Sequence, residues 1–239
     1  MKTVKIDFVS DVACPWCAVG LASLEQAMRR VADEVSVELH FQPFELNPHM
    51  PPEGEDIVEH LTRKYQISAE QVAANQARIA ERGAELGFVF NKSGRKRIYN
   101  TFDAHRLLHW AETEAAAGAQ HRLKRALLEA YFSAGEDPSS HAVLIAAAER
   151  AGLDVPRAAE ILSGDEFRNE VRQKEQLYLA QGIQSVPSVI INNRYLVQGG
   201  QPVEMFERAL REVAQDRKST RLNSSHGYIS YAVFCLKKK

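Results

Sequence analysis

Apolar and polar residues alternate from the start of the chain: Val4, Ile6 and Phe8 are separated by Lys5 and Asp7. A period of two is the signature of a half-buried β-strand. Val35, Val37, Leu39 and Phe41 repeat the pattern. Between these runs Leu21, Leu24, Ala27, Met28 and Val31 recur at helical spacing, which predicts a helix over residues 15–31. The unit is strand–helix–strand, a right-handed connection that makes a parallel strand pair.

Pro43 and Pro48 end the second strand, and residues 55–181 are then helical almost throughout. Ser68 with Gln71 forms a capping-box pattern, and Gly87 supplies a helix stop. Leu123, Ala126, Leu127, Ala130 and Tyr131 fill one helical stripe completely. Asp137-Pro138-Ser139 and Asp154-Val155-Pro156 mark further loops and helix starts. Strand character returns after Gly182. Ser188–Ile191 and residues 194–197 flank Asn192-Asn193, a pair that tolerates the left-handed backbone of a tight hairpin. Pro202 then opens a last helix reaching about residue 214. The expected class is α/β: a thioredoxin-like fold with a large all-helical insertion. Its first half spans residues 1–47, the insertion 48–181, and the second half 182–215.

Composition alters this picture only near the C-terminus. A chain of 239 residues with 45% apolar and 26% charged residues is long enough to bury a core without a metal or disulfide staple. Residues 216–239, DRKSTRLNSSHGYISYAVFCLKKK, read as the in-frame translation of a short-read sequencing adapter followed by a run of A. They are set aside from fold reasoning and expected to be disordered. They carry six of the 30 Lys/Arg and one of the 31 Asp/Glu, so the remainder holds 24 basic and 30 acidic residues, a net charge of −6. That balance argues against a nucleic-acid partner, which calls for a basic surface. Charges interrupt the N-terminus before any leader-length apolar run, and no stretch reaches membrane-span length. The expected setting is the cytoplasm, with no membrane partner; the oligomeric state is left open.

Without the terminal segment and its Cys235, the cysteines are Cys14 and Cys17, two residues apart where the first strand gives way to the helix. A structural disulfide framework is then out of reach, which suits a reducing compartment. Pro15 is preset for a first helical position. A thiolate at Cys14 would face unpaired backbone N–H groups and the positive end of the helix dipole, which favour the charged form. Cys17, one turn on, reaches the same disulfide geometry from a more enclosed position. Cys14 would attack a substrate disulfide and Cys17 would resolve the mixed disulfide. Two other readings stay open: a pair of inert cysteines, and half a zinc site completed by His105 and His109. Asp11 either caps the helix or tunes the protonation of Cys17. Ala104, Leu107, Leu108 and Ala111 form one apolar stripe, flanked by Phe102, His105 and His109. His105 and Arg106 are then surface or rim residues.

Three motifs carry a resemblance. D-x-x-C-P-W-C-x-x-G at 11–20, N-T-x-x-A-H-R-L at 100–107 and G-I-x-x-V-P-S at 182–188 resemble the DsbA-family thiol–disulfide oxidoreductases of FrnE type, relatives of 2-hydroxychromene-2-carboxylate isomerase and kappa-class glutathione transferase. The resemblance covers residues 3–215 and departs at Ser185, where relatives often carry Gly. It implies a thioredoxin fold with a helical lid, catalytic Cys14 and Cys17 and a cis proline at Pro187, and it suggests that Asn100, His105 and Arg106 line a groove over Cys14. Pro15, Trp16, Val186, Pro187 and Asp11 are expected to support the site. No metal and no cofactor beyond the cysteine pair is implied, with glutathione as an optional co-substrate. The expected function is dithiol–disulfide exchange or isomerisation on protein or small-molecule thiols and disulfides. Its rivals are a glutathione-dependent isomerase or transferase, which would present a single Ser at the first position, and a chaperone-like binding module.

Overall fold

The structure, a computed structural model, describes residues 1–91, 95–215 and the backbone of 233–235. Strand β1 (Lys2–Ser10), helix α1 (Pro15–Arg30) and strand β2 (Val35–Pro43) form the expected unit, with β1 and β2 parallel and Val4 opposite Val37. The insertion follows as β3 (Glu55–Asp56), α2 (Ile57–Tyr65), α3 (Ala69–Glu85), β4 (Arg97–Ile98), α4 (Phe102–Thr113), α5 (Ala119–Glu129), a π-helical turn at Ala130–Ala134, α6 (His141–Arg150), α7 (Val155–Ser163) and α8 (Arg168–Ala180). It is helical apart from the short antiparallel β3–β4 ladder, which alternation over two residues cannot announce. The second half is β5 (Ser188–Ile191), β6 (Tyr195–Gln198) and α9 (Val203–Gln215).

The main sheet runs β2-β1-β5-β6, with β5 antiparallel to β1 and hairpinned to β6. Asn192 and Asn193 make the hairpin with φ of 50° and 53°, the left-handed backbone that such turns demand. Ser68 caps α3 through the reciprocal capping box, and the Asp154 side chain caps α7. A fifth strand, β7 (Val233–Cys235), lies antiparallel to β6, with Phe234 opposite Leu196. The expectation that residues 216–239 have no place in the fold therefore needs correcting for these three; the rest of that segment lies outside the described residues. An edge strand presents a row of unpaired N–H and C=O groups, and the apolar, β-prone run Val233-Phe234-Cys235 matches it.

Ile6, Phe8, Leu24, Phe206 and Leu210 fill the space between the sheet and α1 with α9, and burying a side chain of this size stabilises by about 1.5–3 kcal/mol. Alternation describes β1 as half-buried, but its second half is buried on both faces. Val9 packs with Tyr178 of α8, so the insertion supplies a second layer on the face opposite α1. Asp7 is enclosed there too, accepting from Gln42 Nε2 at 2.8 Å and paired with Lys5 Nζ at 2.9 Å. A separate core joins α4 to α7 through Leu107, Leu123, Leu127, Leu144 and Ile161. On the outer side of β2, Gln120 of α5 accepts from Phe41 N–H at 2.9 Å and donates to Phe41 C=O at 2.9 Å.

Candidate active site

The turn between β1 and α1 brings the cysteines together. Cys14 is the N-cap of α1, in extended backbone (φ −90°, ψ 114°), with Pro15 in the first turn. Its carbonyl accepts from Cys17 N–H at 3.0 Å and Ala18 N–H at 3.4 Å. The side chain therefore stands at the end of a helix whose first N–H groups have no intrahelical partner. Cys14 Sγ lies 3.7 Å from Val186 C=O, which places the loop before β5 against the thiol. Cys17 points inward and is 0% exposed. Both are free thiols. Burial first, then the hydrogen bond and like charge of Cys14, push the Cys17 thiol well above the ordinary range, while Lys124 pulls it down.

The Val186–Pro187 peptide bond is cis, as the family resemblance implies. Two glycines let this loop approach α1. A Cβ on Gly20 would stand 3.1 Å from Pro187 Cγ, and one on Gly200 would stand 3.1 Å from Trp16 Cε3. Trp16 thus packs on the backbone after β6. Ser185, the departure from the resemblance, offers its carbonyl to Ser188 Oγ at 2.8 Å.

Asp11 does not cap α1, whose N-cap is Cys14. Its carboxylate is enclosed and accepts from Ala13 N–H at 3.1 Å and Leu46 N–H at 2.7 Å, tying the cysteine turn to the segment after β2. His105 Nε2 stands 3.7 Å away, within ion-pair distance. Burial works to raise the Asp11 pKa, but His105 and the two N–H groups together outweigh it and hold the carboxyl below its ordinary value.

The three groove candidates separate. His105 alone reaches the cysteine turn, through Asp11. Asn100 donates to Glu45 Oε1 at 3.2 Å and accepts from Phe102 N–H at 2.9 Å, so it starts α4 and joins a cluster in which Arg172 pairs with Glu45 and, at 2.8 Å, with Glu175. Arg106 is neither rim nor groove: at 1% exposure it donates to the carbonyls of Glu166 (2.8 Å), Ile161 (2.5 Å) and Gly164 (2.6 Å) and pairs with Asp103 at 2.8 Å. It clamps the end of α7 to α4. His109, the other proposed zinc ligand, packs edge-on against Phe167 with ring centroids 5.3 Å apart. Among the described residues no group of three or more His, Cys, Asp and Glu is arranged to hold a metal ion.

Three residues at the site escape sequence reasoning. Lys64 reaches from the end of α2 to Leu46 C=O at 2.9 Å and Asn47 Oδ1 at 2.7 Å. Its neighbour Tyr65 is 54% exposed, and its pKa is raised by partial burial and by the charge of Cys14. Lys124 of α5 is fully buried; burial lowers its pKa, and the charges of Cys17, Asp11 and Cys14 work the other way. Beside Pro15 a cavity of about 220 Å³ opens between α3 and the aromatic rings of Phe90 and Phe132, with Arg95 at its wall.

A cysteine pair at the first strand–helix junction of a thioredoxin-like sheet, carrying a helical insertion, defines a class: the protein is an enzyme of the thiol–disulfide oxidoreductase kind. The model of the DSBA-like thioredoxin domain matches residues 5–211, and the chain belongs to that family. It is 28% identical over 213 residues to the uncharacterized protein YwbO of Bacillus subtilis, covering 88% of this chain and 97% of that one. A crystal structure described as a probable DsbA oxidoreductase of Streptomyces coelicolor superposes with a TM-score of 0.81 at 29% identity, covering 99% of this chain and all of that one. The cytosolic disulfide reductase DsbM of Pseudomonas aeruginosa, solved with GSH, shares the fold at a TM-score of 0.57 and 18% identity, covering 87% and 98%. Among the described residues no helix is long and apolar enough to cross a membrane.

Proposed function

We propose that Cys14 and Cys17 exchange disulfides with protein or small-molecule substrates, Cys14 attacking and Cys17 resolving. The carrying observation is the asymmetry of the pair: Cys14, 5% exposed, stands at the helix start with its Sγ against the Val186 carbonyl, whereas Cys17 is fully enclosed and its thiol is pushed well above the ordinary range. The Cys14 thiolate attacks one substrate sulfur, and the other leaves with the electron pair. Cys14 then carries no charge, so its repulsion of a Cys17 thiolate is gone when Cys17 must ionise. Cys17 attacks Cys14 Sγ, closing the Cys14–Cys17 bond and releasing the second substrate thiol. The cavity beside Pro15 is where the chain flanking a substrate disulfide would lie, and Val186 offers it backbone to pair with.

Glutathione is the proposed thiol that returns the pair to its reduced form; the bound GSH of DsbM supports this only through a shared fold. The proposed setting is a reducing compartment such as the cytoplasm, since residues 1–215 contain no cysteine beyond the pair. Cys14→Ser should abolish reduction of a disulfide substrate, and Cys17→Ser should accumulate a Cys14–substrate adduct visible by mass spectrometry. Turnover that survives Cys14→Ser refutes the proposal. Turnover of a glutathione adduct that survives Cys17→Ser unchanged would favour the isomerase or transferase reading. Full activity in cells of the doubly substituted protein would favour the chaperone-like one.

A further inference from the structure

Lys124 has no role in the exchange described so far, yet its position is an unusual one for a lysine. It is 0% exposed, and among the described residues its Nζ has no hydrogen-bond partner. An ammonium without partners in a protein interior is costly, so the site must be held by the surrounding fold. On α5 it shares a face with His121 and Leu128, and that face is turned to α1: His121 Nε2 meets Glu25 Oε1 at 2.6 Å, and Leu128 lines one pocket with Ala18 and Leu21. Its Nζ stands 5.9 Å from the centroid of the Phe41 ring, which shares a core cluster with Cys17 and Ala18.

The charges facing Lys124 come from three directions. Cys17 and Cys14 project from α1, with Cys17 the stronger influence. Asp11 faces it from the β1–α1 turn, with His105 of α4 behind Asp11. β2 contributes the Phe41 ring. Glu25 of α1 is engaged instead by His121 and, at 3.4 Å, by Arg125. Asp11 already has two N–H donors and His105. The one group on this side that gains a negative charge during exchange and has no cation of its own is Cys17.

We propose that Lys124 is the positioning cation of the resolving step, stabilising the Cys17 thiolate as it forms in the core. The inference rests on the exchange proposed above. A mixed disulfide of Cys14 with a substrate sulfur, together with the Cys17 thiol, becomes the Cys14–Cys17 disulfide and the free substrate thiol. The Cys17–Cys14 S–S bond forms as the Cys14–substrate bond breaks, and the departing sulfur takes the electron pair. The proton lost by Cys17 leaves with that substrate thiol. Burial pulls the Lys124 pKa down while the facing charges of Cys17, Asp11 and Cys14 push it up. In the proposed step Lys124 gives up no proton, and no outside oxidant or reductant is needed.

The experiment is stopped-flow reaction of the reduced full chain with one equivalent of dithionitrobenzoate across pH. The first equivalent of thionitrobenzoate reports attack by Cys14, the second reports resolution by Cys17. In Lys124→Met the second phase should slow about ten-fold at neutral pH, and its pH profile should move up by about one unit, a ten-fold change in acidity. The first phase should change less. Removing a buried, unpaired ammonium should leave the melting temperature unchanged or raise it; a lysine with only a structural role would lower it and leave the pH profile in place. A wild-type second-phase profile in folded Lys124→Met overturns the proposal. A wild type that never releases the second equivalent overturns the exchange reading instead. If Lys124→Met does not fold, the wild type decides by NMR with labels at Cys17 Cβ and Lys124 Cε. Both should respond over one pH interval, and a Lys124 signal indifferent to Cys17 ionisation sinks the assignment.

Discussion

Replacing Asp11 by alanine tests whether the carboxylate that organises the cysteine turn also stabilises the fold. Its two acceptor bonds, from the buried Ala13 N–H and the partly buried Leu46 N–H, disappear. Bonds to a charged group contribute about 1.5–3 kcal/mol each, and a donor left buried and unmade costs a similar amount. The carboxylate's own burial works against this, so the expected loss lies near the lower end, about 3 kcal/mol out of a total of roughly 5–15. Urea unfolding at pH 7 should show it directly. The pH dependence carries a sign. The folded pKa of Asp11 lies below its unfolded value of about 3.9. The contribution is therefore fully present above that unfolded value and is lost as pH falls through the folded one. The gap between wild type and Asp11→Ala should be constant from pH 7 to about 5 and narrow in more acidic solution. A difference under about 0.5 kcal/mol at pH 7, or a gap that widens on acidification, would refute the role assigned to Asp11.

Arg106→Met should cost about 3–5 kcal/mol in urea unfolding, because three carbonyls and Asp103 lose a buried cationic partner; a cost below 1 kcal/mol would mean the α7 clamp contributes little. Iodoacetamide at neutral pH should label Cys14 and spare Cys17 until the protein unfolds, since Cys17 is enclosed and its thiol is held protonated; peptide mapping that finds equal labelling would contradict this. Ending the chain after Gln215 should leave the exchange rate per folded molecule unchanged, because every residue of the site precedes that point; a measured loss would show that the strand added to β6 supports the site.

Patterns that depend on neighbours in sequence were legible. The strand–helix–strand start, the Asn192-Asn193 hairpin, the capping box at Ser68 and the placement of Cys14 at a helix start all follow from local spacing. What escaped depends on groups far along the chain. Arg106 finds its carbonyl partners 55 to 60 residues away, so on its own helix it looks like a surface charge. Asp11 stands three residues before the N-cap, where capping is the ordinary reading, and its second bond goes to Leu46, 35 residues on. The burial of Asp7 follows from a layer supplied by α8. Lys124 did leave a signal. Leu127 and Leu128 are consecutive and both apolar, which implies a buried face wide enough to include the stripe Gln120, Lys124 and Leu128. Reading only the Leu123 stripe misses it.

The two borders of the sheet are unlike each other, and the difference lies in one amide. Gln120 presents its oxygen and nitrogen to Phe41 as a neighbouring backbone peptide would, so the middle of β2 already has the partner that an incoming strand would seek. Helices α4, α5 and α8 cover the same flank. The opposite border, at β6, pairs instead with Val233–Cys235. The two borders thus differ in kind: one is closed by a side-chain amide from within the domain, and the other by an added strand.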